Sequence, residues 1–114
     1  EPERLPARLR AFCENPANTL VLSVASVWEM QIKSQLGKLE LNCPLANIIA
    51  KQQEENALEL LPIELPHVLA LEQLPFHHKD PFNRVIIAQA ITEDLAIRSV
   101  DSMFGYYPVS VLGA

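Results

Sequence analysis

Short apolar runs alternate with helix-period stretches along most of this chain, and that alternation limits its folds more than any other feature. Thr19-Leu-Val-Leu-Ser23 is a brief apolar run that predicts a buried strand. Val24, Trp28, Ile32 and Leu36 then recur every four residues, predicting a helix over 25–36 with Gly37 as its stop. Pro44 can open a second helix, with Leu45, Ile48 and Ile49 inward. Residues 58–63 predict a second strand and 66–74 a short helix. Asp80-Pro81 joins a capping residue to a proline at the first helical position. The helix it opens runs to about residue 94, with Phe82, Val85, Ile86, Ile87 and Ala90 facing in. Residues 95–100 and 109–112 predict two more strands. Upstream, Leu5, Leu9 and Phe12 at helical spacing, with Pro6 near the first turn, predict a helix over 3–14 that Asn15-Pro16 ends. Strands separated by helices imply βαβ units, and hence an α/β fold whose mostly parallel sheet has helices on both faces.

At 114 residues, 49 % of them hydrophobic, residues 1–114 form one domain around one core. No apolar run approaches the roughly 18 residues of a membrane span. The charged, proline-bearing start does not read as a signal peptide, so a soluble cytoplasmic protein is expected. Cys13 and Cys43 lack metal-ligand spacing and predict buried reduced thiols. The net charge of −5 constrains function more sharply. Nucleic-acid binders carry a basic face, so either this chain holds nucleic acid weakly, or divalent cations and a basic partner supply the missing charge.

In open α/β sheets the chemistry collects beyond the carboxyl ends of the strands. Glu29 lies in the second turn of the helix after the first apolar run, near that edge. The helix opening at Asp80 and the strand after it would each be roughly 20 Å long and antiparallel, so the helix start returns to where the strand ends. Asp80, Asn83 and Asp101 therefore gather at the same edge as Glu29. Carboxylates crowded together repel one another, and a hard divalent ion such as Mg²⁺ or Mn²⁺ relieves that repulsion. Each residue also has an ordinary role open to it: Asp80 as a helix cap, Glu29 as a solvated helix residue, Asp101 as the start of a turn. Lys79 and Arg84 are placed to bind phosphate, with Arg84 equally able to pair with a neighbouring acid. His77 and His78 flank the edge and read as polar loop residues.

Ser26-Val-Trp-Glu29-Met, with Ile32-Lys33 and Leu36-Gly37-Lys38-Leu39, resembles the second motif of PIN-domain proteins close to the VapC toxins. Leu61-Pro-Ile63, His67 and the stretch from Leu74-Pro-Phe through Asp80-Pro-Phe-Asn83-Arg84 to Ala90 resemble that family's third block. Ser99-Val-Asp101, Phe104 and Tyr107 resemble its last. The likeness covers nearly the whole chain. It implies a PIN-like three-layer α/β/α sandwich and metal-dependent RNA cleavage by a bacterial toxin whose antitoxin inserts into the active-site groove. Four acids hold Mg²⁺ or Mn²⁺ in that family. Glu29 and Asp101 match two of them. Asp80 matches the first Asp of the family's Asp-Pro-Phe-Asp-Arg block, while Asn83 stands where the second would be. Lys79, Arg84 and Ser99 fall at positions suited to substrate.

The fourth acid belongs to an N-terminal strand that precedes the first helix, and the chain opens at about that helix. A central strand is thus expected to be missing, the domain being N-terminally incomplete. Its neighbours would then pair directly, or another chain would fill the gap, giving a homodimer or higher oligomer. The expectation is an impaired Mg²⁺- or Mn²⁺-dependent endoribonuclease, with a catalytically degenerate PIN-derived binding module as the alternative.

Overall fold

The computed structural model of the chain describes residues 12–15, 17, 19–75, 80–98 and 111–112. Its elements run β1 (Phe12–Glu14), β2 (Leu20–Ser23), α1 (Val24–Gln35), α2 (Leu45–Asn56), β3 (Glu59–Leu61), α3 (Leu65–Ala70), α4 (Pro81–Thr92), β4 (Ala96–Arg98) and β5 (Val111–Leu112). A single 3₁₀ turn, Leu71–Gln73, extends α3. The strands form one mixed sheet in the order β3-β2-β1-β4-β5. β2 pairs parallel with β3, and β4 with β5, while β1 lies antiparallel to both β2 and β4. Four strands therefore point one way, with a single reversed strand at the centre.

That central strand corrects the sequence reading. A helix is expected over 3–14, yet Phe12–Glu14 is β-structure, residues 3–11 lying outside the described residues. Asn15 explains the reversal. Its Oδ1 accepts from the backbone of Ala17 and of Thr19, each at 3.0 Å, and its own N–H donates to Thr19 O at 3.3 Å. This side-chain-closed turn lays residues 12–14 back along β2. Two energies decide the outcome. Helix propensity separates ordinary residues by under about 0.7 kcal/mol each, whereas a buried backbone group without a partner costs about 1–3 kcal/mol. Pairing β1 with both neighbours satisfies two rows of such groups, so the strand wins. The central slot is thus neither closed by direct β2–β4 pairing nor left to another chain, and β2 offers no free edge for self-association.

Helices cover both faces of the sheet, because successive residues of β2 point opposite ways. Val21 shares one face with its cross-strand partner Cys13 and with Ile97, against Ile86, Ile87 and Ala90 of α4. Leu22 faces the other way, into Met30 of α1, Ile49 of α2, Leu39 and Leu58. The inward residues expected on α2 and α4 are thus buried or packed on these clusters.

On α1 the four-residue stripe lies largely outward, with Ile32 half-buried. Trp28 is 56 % exposed and Leu36 63 %, and the buried residues are Ala25, Ser26 and Met30. Ser23 sets the helix phase, since its hydroxyl accepts from Ala25 N at 3.0 Å while pointing into the interior. Small side chains at 25 and 26 then let α1 approach α4 closely, and the large apolar residues are left at the rim. Gly37, at φ +73°, ends the helix as expected.

Among the described residues no helix is long and apolar enough to cross a membrane. Cys13 is buried and Cys43 half-buried. Burial pushes the Cys13 thiol up to about 12.

Candidate functional site at the carboxyl edge

Helices α1 and α4 are tied at two levels. At the start of α1, Ser23 Oγ donates to Gln89 Oε1. Five residues along α1 and seven residues back along α4, Trp28 meets Phe82 edge to face, with ring centroids 5.0 Å apart at 87°. Those separations correspond to roughly 8 and 10 Å of helix, so the helices run antiparallel and Glu29 stands level with the first turn of α4. Asp80 and Asn83 occupy that turn. α1 leaves the carboxyl end of β2, so Glu29 lies on the helix that opens at that edge. Lys79, Ser99 and Asp101, like His77 and His78, lie outside the described residues.

Each acid has a local partner. Glu29 pairs with Lys33 one turn on, Oε2 to Nζ 3.1 Å. Asp80 caps α4: its Oδ1 accepts from Phe82 N at 2.9 Å and Asn83 N at 3.3 Å. Asn83 donates its amide to Asp80 Oδ2 at 3.3 Å, which leaves the amide oxygen as its only ligand atom for a cation. Chemically this is an oxygen set that a hard divalent ion accepts. A cation there would compete with Lys33 for Glu29 and with the helix cap for Asp80, so the residues fit Mg²⁺ or Mn²⁺ as a weak site.

Two charged residues are held inside the fold. Arg84 is buried, its guanidinium donating to Pro75 O at 3.0 Å and Leu71 O at 3.4 Å. Through these two carbonyls it fastens the segment after α3. Glu14 closes β1 and is buried, but it aligns with Leu20 and Ala96, the first residues of β2 and β4. The reversed strand therefore carries its acid to the amino edge, away from Glu29.

Behind the edge lies a buried polar chain that the sequence reading leaves unassigned. Ser23, His67 and Gln89 are each 0 % exposed. Gln89 Nε2 donates to Pro62 O at 3.1 Å and faces His67 Nδ1 at 3.4 Å. Glu64 N donates to the same Nδ1 at 3.0 Å, completing a capping box at the start of α3. Two N–H donors aimed at Nδ1 assign the ring proton to Nε2, which lies 2.9 Å from Glu93 Oε2. One signal for this chain is legible in sequence: Gln89 falls on the helical face of Ile86 and Ala90, where an apolar residue is expected.

Among the described residues, Glu64, His67 and Glu93 also form the one group of three ligating side chains within 4.8 Å of one another. Metal-bound histidine normally donates from its other nitrogen. Here that nitrogen is an acceptor, so the group reads as a hydrogen-bonded tie and not as a metal centre. Comparison of the chain with family models, curated proteins and solved structures gives no match.

Proposed function

We propose that this chain is a PIN-like, Mg²⁺- or Mn²⁺-dependent endoribonuclease domain of the toxin–antitoxin kind, with weakened activity. The observation that carries the reading is the double tie between α1 and α4, Ser23 to Gln89 and Trp28 to Phe82, which levels Glu29 with Asp80 and Asn83. Glu29, Asp80 and Asp101 would hold the cation and orient the attacking water. When bound, the ion supplies the charge that offsets developing negative charge on the phosphodiester. With Arg84 committed to backbone carbonyls, phosphate contact falls to Lys79 and Ser99. The partners of this reading are RNA, a cytoplasmic antitoxin, and a second copy docking on outward apolar side chains such as Leu65, Val68 and Leu69.

One observation favours the degenerate binding module: Asn83 acts as a donor to Asp80 and brings no negative charge. Incubating the chain with single-stranded RNA and Mn²⁺ separates the two. The nuclease reading expects slow, metal-dependent internal cleavage that Glu29→Gln abolishes and Asn83→Asp accelerates. No cleavage by either the parent or Asn83→Asp would hand the chain to the binding-module reading.

A further inference from the structure

We infer that Gln89 is a positioning residue for the carboxyl-edge site, setting where the first turn of α4 stands against Glu29. The inference rests on the site proposed above, although the tie itself is read from contacts that involve no metal. From α4, the Gln89 side chain reaches three other parts of the fold at once. It accepts from Ser23 at the junction of β2 and α1, donates to Pro62 just past β3, and faces His67 of α3. Its amide cannot be turned over, because Oε1 would then oppose the Pro62 carbonyl and Nε2 would lose an acceptor. Three of its four hydrogen-bonding positions are thereby used, on a side chain that is fully buried. The orientation is single-valued.

Distance makes this matter for the site. An α-helix transmits a displacement along its axis, and Asp80 lies nine residues from Gln89, roughly 13 Å by helical rise. A slide or roll of α4 at Gln89 is therefore carried to Asp80 and Asn83. Across the gap, Ser23 fixes the start of the helix that bears Glu29, six residues on. The hydroxyl of Ser23 caps α1 and grips Gln89 with one oxygen. Nearer the acids the Trp28–Phe82 contact also joins the helices, and an edge-to-face aromatic pair of about 0.5–1.5 kcal/mol is too weak to hold the register alone.

The test uses the full chain carrying Gln89→Met, which keeps approximate volume but removes both amide functions, and separately Ser23→Ala. Trp28 is the sole tryptophan, so its emission reports the Phe82 contact without any metal. Mn²⁺ affinity, followed by electron paramagnetic resonance, reports the acids. Both variants should unfold cooperatively, show red-shifted Trp28 emission, and bind Mn²⁺ about 10-fold or more weakly, as loss of outer-shell support typically does. A folded variant with parental emission and parental Mn²⁺ affinity overturns the inference. If Gln89→Met fails to fold, Ser23→Ala decides; if neither folds, the network merely holds up the domain and the positioning role is lost. Should the parent bind no Mn²⁺, the proposed site fails, while the emission of the two variants still tests the tie.

Discussion

Asp80 carries two roles that one pair of substitutions can pull apart. As the N-cap of α4 it accepts two backbone hydrogen bonds, from Phe82 and Asn83, and a third from the Asn83 amide. Removing such a cap costs typically about 1 kcal/mol, within a range of roughly 0.5–2. Loss of a half-buried negative charge at the helix start adds about 0.3–1 kcal/mol. Asp80→Ala should therefore destabilise the domain by about 1–2 kcal/mol, which for a chain near this size lowers the melting temperature by roughly 4–15 °C. Asp80→Ser restores a side-chain oxygen of nearly equal capping strength but brings no charge. It should recover most of the lost stability and none of the Mn²⁺ binding. Thermal and urea unfolding followed by circular dichroism, beside Mn²⁺ titration of the same samples, gives both readouts. The reasoning fails if Asp80→Ser is as unstable as Asp80→Ala, or if it binds Mn²⁺ like the parent.

The other predictions follow from separate parts of the fold. The Cys13 thiol is neutral when protonated, and burial raises it from 9.0 to about 12. Its contribution is therefore complete below pH 9 and is lost as pH rises towards 12, at up to about 1.4 kcal/mol per pH unit. The stability difference between parent and Cys13→Ala should shrink over that window in urea melts; a constant difference contradicts the assignment. Ile87 is fully buried against β-strand side chains, so Ile87→Ala should cost about 2–5 kcal/mol in the same melts. Leu65→Glu with Leu69→Glu, both on the exposed face of α3, should reduce self-association in analytical ultracentrifugation with little loss of stability. Unchanged association places the contact elsewhere.

The elements after residue 19 were legible because each has a local cause. Asp80-Pro81 predicts the start of α4 through capping, and Gly37 and the apolar alternation predict ends and strands within a residue or two. Burial on α2 and α4 follows from periodicity alone. On α1 it does not, since the regularly spaced Val24, Trp28 and Leu36 are exposed. A tertiary contact, Ser23 with Gln89, overrides that stripe and chooses the small-residue face. β1 was illegible for the same kind of reason: Phe12–Glu14 has a helical pattern, and only the vacancy between β2 and β4 makes it a strand. The expectation that Glu29, Asp80 and Asn83 gather at one edge comes from strand and helix direction alone. The local partners that weaken them as ligands, and the burial of Arg84, needed side-chain geometry.

The most direct test of the account is a crystal of the chain soaked in millimolar Mn²⁺, with the ion located by its anomalous scattering. A peak between Glu29 and the first turn of α4, lost in Glu29→Gln, is the predicted result. An empty edge at that concentration, or an ion seated instead among Glu64, His67 and Glu93, would contradict both the site and the nuclease reading built on it.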